Sequence, residues 1–416
     1  MTRPTASSSQ KSDHLIATRS TQRSLRLQHH PLLRAPSSDS PQTKGPRMLR
    51  AVPQTLLRSS FRPRPAAAHL AARHLQLNSM STSPIAKKMK STKVIGTHSG
   101  TFHCDEALAV FMLRLTDDFK DADVVRTRDP AKLAPLDIVV DVGGVYDPQS
   151  HRYDHHQRGF TEVFGHGGYD SIKLSSAGLV YKHFGKQIIA QRLGVAEDDA
   201  NVELLWLQLY SELIESVDAI DNGVNISSSK PAYALRTDLS SRIKRINPNW
   251  NEPSSDDIFD AKFAEASKIT GEEFLSQLDY FSTAWLPARD IVKAALEKRT
   301  SIDPSGSVVV FEQSCPWKDH LFSLEPIVTS PSPILYVLYP ESDAPGSKWR
   351  IQCVPESPDS FVNRKSLPEP WRGVRDAELS KVAGIEGCTF CHASGFTGGA
   401  ETFEGVLQMA KKAIEA

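Results

Sequence analysis

The stretch KVIGTHSGTFHCDEALAVFMLRLT, residues 93–116, reads as a strand, a turn and a helix in succession. KVIGTHSG is a short apolar run that ends in polar residues, and CDEALAVFMLRLT then places Ala107, Val110, Phe111 and Leu115 at helical spacing. ADVVRTRD and LDIVVDVGG, further along, are second and third strands, each an apolar run closed by polar residues or glycine. SSAGLVYKHFG and ELLWLQLYSELIESVDAIDNG follow as helices. Strands separated by helices predict an α/β fold with a mostly parallel sheet covered on both faces. In such a sheet, ligands gather at the carboxyl ends of the strands.

Outward from that unit, residues 225–260 are polar and rich in Pro and Ser, an excursion between helices, and 261–299 are helical throughout. SVVVFEQ, PILYVLYP and WRIQCVP then read as three strands in a row. GCTFCHASGFTGG reads as another strand and a Gly turn before a final helix from Thr402. The expected division is a leader over 1–90, a metal-binding domain over 91–260, a helical connector over 261–300 and a smaller C-terminal α/β domain over 301–416.

The 416 residues carry no net charge, but the balance is uneven. Residues 1–90 hold 16 Lys and Arg against two acids, while the rest holds 33 bases against 47 acids. A basic, acid-poor leader with Arg spaced among Leu, Ala and Phe from Met48 onward has the character of a mitochondrial presequence. AKKMK at 86–90 adds a short basic cluster of the nuclear-import type. Met48 and Met80 are alternative starts. No run of 18 apolar residues occurs, so no membrane span is expected. Five scattered cysteines suit a reducing compartment. CTFCH at 388–392 matches a haem-attachment pattern, but without a secretory signal and running into a strand it is read as neither a haem nor a redox motif.

Seven of the 14 histidines fall between 98 and 183, and acids accompany them at the predicted strand ends. GTHSGTFHCDEA offers His98, His103 and Asp105; VVDVGG offers Asp141 where a buried strand ends and two glycines let the chain turn; YDHH follows 13 residues later with Asp154, His155 and His156. A carboxylate closing a buried strand needs a partner. DAIDNG puts Asp218 and Asp221 at i, i+3 near a helix C-terminus, where acids are unfavourable without a nearby positive charge. Imidazole and carboxylate without thiolate suit Mn²⁺, Mg²⁺, Fe²⁺ or Zn²⁺ in a reactive site better than structural zinc. The surplus of carboxylates suits two ions sharing a ligand, about 3.5–4 Å apart.

H-x4-H-x-D, VVDVGG, YDHH and DAIDNG, in that order, resemble the four metal motifs of the DHH phosphoesterase superfamily. The closer resemblance is to its melanocyte proliferating gene branch, and it spans nearly everything after about residue 91, including HASGFTGGAETFEGVLQMAKKA. That resemblance implies a metal-dependent 3′-to-5′ RNA exonuclease of mitochondria and nucleus, using metal-activated water, two divalent ions with Mn²⁺ favoured, and RNA or a short oligonucleotide as substrate. It implies His98, His103 and Asp105 as ligands, Asp141 as a bridge, His155 as a ligand, His156 facing the scissile phosphate and Asp154 orienting the pair. Asp218 would complete the second ion, with Asp221 as the other candidate. His103 departs from the superfamily, where an aspartate is usual. GFTGG is similar to the superfamily's glycine-rich substrate motif, so His392, Ser394 and the backbone N–H groups of Gly395, Gly398 and Gly399 would meet phosphate oxygens, with Trp371 and Arg372 on the nucleotide. Two other readings stay open: a hydrolase of a small phosphate ester, and a metal-binding regulatory protein without turnover.

Overall fold

The computed structural model describes residues 93–328 and 332–416, which belong to one compact unit, Ile85–Ala416. The expected leader, with its targeting and import signals and alternative starts, lies outside the described residues. The first part runs β1 (Val94–Thr97), α1 (Cys104–Leu115), β2 (Asp123–Arg126), the single turn α2 (Pro130–Leu133), β3 (Ile138–Val140), β4 (Tyr146–Asp147) and β5 (Arg152–Tyr153). Helices α3 (Ser176–Leu193), α4 (Ala200–Leu209) and α5 (Glu215–Asp221) follow, with a wider π turn over Tyr210–Ile214 joining the last two.

The strand order is β2-β1-β3-β5-β4. The first four strands are mutually parallel, and β4 runs antiparallel to β5 as a short edge. Side chains alternate across a strand, so Ile95 enters the core while its neighbour Gly96 faces the other way. There Leu133 and Leu136 press so close that a Cβ on Gly96 would stand 2.6 Å from Leu136 Cδ1. Helix α1 carries Ala107, Leu108, Met112 and Leu113 into a core shared with Leu179, Val180 and Trp206. β1, β3 and β5 end on the same side, at His98, Asp141 and Asp154.

The polar excursion after α5 contains one further short helix, α6 (Leu239–Lys244). α7 (Asp256–Tyr280) and α8 (Leu286–Ile302) are joined by a second π turn, Phe281–Trp285. The expected connector is therefore helical, but it divides its allegiance. α7 buries Phe263, Phe274 and Leu278 in the first core, whereas α8 buries Val292 and Leu296 against a second sheet.

That second sheet is built from β6 (Val308–Val310), then, after α9 (Lys318–Leu324), β7 (Tyr336–Pro340) and β8 (Trp349–Cys353). After α10 (Asp376–Ala383) come β9 (Cys388–Cys391), β10 (Thr397–Ala400) and the last helix, α11 (Phe403–Glu415). The order is β6-β7-β8-β10-β9, parallel between β6 and β7 and antiparallel elsewhere. Val308, Tyr336 and Leu338 meet α10 and α11 on one face, while Val309 and Val337 meet α8 and α9 on the other. The protein is thus α/β with two mixed five-stranded sheets. The three C-terminal strands expected in a row are interrupted by α9, and the expected Gly turn is itself the strand β10. Among the described residues no helix is long and apolar enough to cross a membrane.

Candidate metal centre

At the ends of β1, β3 and β5 lies a cavity of about 850 Å³, lined by His98, His103, Asp105, Asp141, His155, His156 and Asp221 among others. Asp141 is its centre. The chain leaves β3 with Asp141 at φ 57°, a left-handed conformation that non-glycine residues seldom take, before Gly143 and Gly144 continue at positive φ. That turn points the two oxygens of a buried carboxylate at different imidazoles. Oδ2 lies 3.3 Å from His98 Nε2; Oδ1 lies 3.3 Å from His155 Nε2 and 3.4 Å from His156 Nδ1. Burial alone would raise the Asp141 carboxyl, but the close approach of His155 and His98 outweighs it and holds it below the usual carboxylate range.

Two groups of donors meet at Asp141. His98, His103, Glu106 and Asp141 each bring a ligand atom within 4.8 Å of the others. His155 stands in two overlapping sets, one with Asp141 and His156, the other with Asp105 and Asp221. His155 Nε2 is buried without a hydrogen bond of acceptable geometry, yet three carboxylates surround it: Asp221 at 3.2 Å, Asp141 at 3.3 Å and Asp105 at 3.9 Å. A buried nitrogen converging with acid oxygens on one point, without bonding them, fits a cation between them. Burial lowers the basicity of His155 and His98, but the carboxylates beside them, Asp141 and Asp221 for His155 and Asp141 and Glu106 for His98, overcome this and raise them to about 11 and about 10. The acids that hold protons on these rings would equally attract a divalent ion, whose binding would displace those protons.

Asp105 is fully buried and pushed well above the ordinary range, first by burial and then by the Asp141 and Asp221 charges. It opens α1 but caps a different helix. Its oxygens accept from Ser175 Oγ at 2.6 Å, from Ser176 N at 3.1 Å and from Ala177 N, at the start of α3. Asp154 is buried and accepts from Gly144 N at 2.5 Å, His156 N at 3.0 Å and His156 Nδ1 at 2.8 Å. It fixes the ring of His156, whose side chain is 61% exposed.

The two acids of DAIDNG divide differently from the expected order. Asp221 faces His155 and lines the cavity. Asp218 is turned into the protein, where Oδ1 accepts from Ser175 N at 2.9 Å and Ser175 Oγ at 2.8 Å, and Oδ2 accepts from Tyr210 OH at 3.2 Å. Burial raises its carboxyl to about 7 against those bonds, and Gly178 leaves room for it. Asp218→Ala would leave buried donors unpaired, at a cost of about 2–4 kcal/mol. The expected outcome is a melting temperature several degrees lower, whereas Asp221→Ala melts near wild type and loses metal on titration. The reverse result would restore Asp218 as the ligand.

Sequence reasoning passed over two residues here. Glu106 is fully buried, accepts from His103 N at 2.9 Å and lies 2.8 Å from His98 Nε2. Arg128 lines the cavity, with Nη2 3.0 Å from His98 Nδ1 and Nε donating to Ser99 O. A first-turn acid capping its own helix was the available signal for Glu106.

The C-terminal residues expected at the substrate are not among those that line this cavity, which come from residues 98 to 244. His392 and Ser394 share a hydrogen bond of 3.0 Å in the β9–β10 turn, and Arg372 Nε donates to Leu367 O. The three glycines do not offer free donors. Gly395 N donates to His392 O, and Gly398 and Gly399 lie in β10 between two antiparallel partners. Trp371 is buried in the second core rather than set out for stacking.

Fold and cluster together define an α/β protein with a candidate carboxylate–imidazole metal centre at its strand ends. Residues 94–414 match the model of a family described as uncharacterised protein family UPF0160, the MYG1 exonuclease family model. The MYG1 exonuclease of Homo sapiens is 50% identical over 353 residues, covering 83% of this chain and 93% of the human protein. The MYG1 proteins of Dictyostelium discoideum and Saccharomyces cerevisiae are 46% and 42% identical, covering 78% and 81% of this chain and 97% and 100% of their own. The chain belongs to the MYG1 family.

Proposed function

We propose that this protein is a metal-dependent phosphodiesterase of the DHH type, a 3′-to-5′ exoribonuclease working in mitochondria and nucleus. The observation that carries the reading is Asp141, held in a left-handed turn so that one carboxylate serves two donor groups. His98, His103 and Glu106 would hold one divalent ion, Asp105, His155 and Asp221 a second, and Asp141 both, with Mn²⁺ the favoured metal. Bound ions would supply Lewis acidity and lower the pKa of water.

The protein groups do the rest. Asp154 takes the Nδ1 side of His156 and leaves Nε2 as the ring atom for a phosphoryl oxygen. Asp105 and Asp218 pin the start of α3 behind the cluster, so the acids cannot drift apart as charge changes. The human relative's name, exonuclease, supports nucleic acid as the substrate. The basic leader supports mitochondrial delivery, and AKKMK supports nuclear entry. A tagged chain starting at Ser91 should keep its turnover and lose the mitochondria.

The deciding experiment is digestion of 3′- and 5′-labelled single-stranded RNA with added Mn²⁺. Stepwise shortening from the 3′ end, abolished by chelator, is expected. Cleavage of short esters alone would favour the small-substrate hydrolase. Bound metal without any turnover would favour a regulatory protein.

A further inference from the structure

The part of the chain after residue 90, with 33 bases against 47 acids, faces a difficulty with nucleic acid, because affinity for a strand comes largely from neutralising phosphates. One segment escapes the acidic bias. Residues 223–250, which leave the cavity wall after α5 and return to it through α6, contain Lys230, Arg236, Arg242, Lys244 and Arg245 against the single acid Asp238. Among the described residues none of the five closes an ion pair, although Arg245 lies near enough to Asp238 to help lower its carboxyl and donates Nη1 to Arg236 O at 3.1 Å. Elsewhere cations are commonly matched, as in Arg126 with Asp260, Lys182 with Glu162 and Arg192 with Asp279.

The same segment holds large rings out to solvent. Tyr233 is 77% and Trp250 97% exposed, with Ile226 at 79%. Hydrophobic exposure on this scale, interleaved with cations that close no ion pair, departs from an ordinary solvated loop. It matches the pattern that binds single strands, with bases stacked on aromatic faces and the backbone following positive charge. Its position is also suitable. Asn222 at one end of the segment and Ser240, Ser241 and Lys244 within it line the cavity that contains the metal cluster.

We infer that residues 223–250 form the track for a single-stranded nucleic acid, holding the nucleotides next to the one at the metal centre. Tyr233 and Trp250 act as stacking platforms, and the five cations run along the backbone with Lys244 at the cavity edge. The occupant is a single strand rather than a duplex, because exposed rings can stack only on unpaired bases. This inference rests on the nuclease reading for its biological sense, but strand binding can be measured without turnover.

The test uses the full chain in chelator and a fluorescein-labelled RNA of about twelve nucleotides, followed by anisotropy from 50 to 200 mM salt. Tyr233→Ala with Trp250→Ala should weaken binding about 10- to 100-fold, with Tyr233→Phe and Trp250→Phe restoring most of it. Lys230→Gln with Arg242→Gln should lower the slope of log affinity against log salt by about 1.4. Melting temperatures near wild type would exclude misfolding at these exposed positions. Variants that bind the strand as wild type does, or a wild type that binds none, would overturn the inference while leaving metal-dependent cleavage to stand or fall separately. A wild type that binds through this face but cleaves nothing would keep the inference and sink the nuclease reading. If the aromatic variant turns a wild-type dimer into a monomer at unchanged strand affinity, the face is a self-association surface and the inference is overturned.

Discussion

Asp141→Asn is expected to take bound metal from about two ions per chain toward none, and hydrolysis with it. Each Asp141 oxygen faces a different imidazole, His98 at 3.3 Å on one side and His155 at 3.3 Å on the other. Removing the charge therefore weakens both donor groups at once. Asn is the cleaner replacement because it tolerates the φ of 57° at this position. Ala would add backbone strain of about 1–2 kcal/mol. His98→Ala, which touches one group, should leave about one ion. Elemental analysis of the purified protein after dialysis against Mn²⁺ reads the difference. A wild type holding one tetrahedral zinc would remove the basis for a shared carboxylate.

The second large effect separates adjacent residues. His155→Ala should lose metal and activity together, since its Nε2 sits among Asp105, Asp141 and Asp221. His156→Ala should keep its metal and lose about 10²–10³ in kcat, the usual loss on removing one donor to a developing oxyanion. Its ring is mostly exposed and is anchored through Nδ1 to Asp154. The pair is measured by metal content and by initial rates at saturating Mn²⁺. Equal loss of metal in both variants would make His156 a ligand, an arrangement its 3.4 Å distance to Asp141 also permits. Full activity in both would take the metal centre out of the chemistry.

The first sheet and most of this cluster were legible in the sequence because each donor closes an apolar run. His98, Asp141 and Asp154 follow β1, β3 and β5, and a parallel sheet brings such ends together whatever lies between them. Glu106 shows in the sequence only as a first-turn capping acid, a position that ordinarily faces water, and only the packing of α1 reveals that it is buried against His98. The choice between Asp218 and Asp221 was equally hidden. The i, i+3 spacing puts both on one helical face, but Tyr210 and Ser175 reach one of them from inside the fold. Gly398 and Gly399 misled for another reason. Glycine pairs usually mark turns, whereas here a Cβ on Gly398 would stand 2.9 Å from Phe390 O and one on Gly399 2.9 Å from Trp349 O. They are small because neighbouring chain lies so near. α9 is hidden in the sequence because KDHLFSL is too short to show a helical period.

The π turn at Tyr210–Ile214 bears on the same acids. A wider turn inserts one residue into an otherwise continuous helix from Ala200 to Asp221. Everything downstream is rotated by about 100° relative to an uninterrupted helix. The upstream half still presents Val202, Leu205 and Leu209 to the core, while the downstream half presents Asp218 to Ser175 and Asp221 to His155. The turn therefore works as a phase setting, like an offset cut into a camshaft. It lets one rod obey the packing of the core at one end and the needs of a charged cluster at the other.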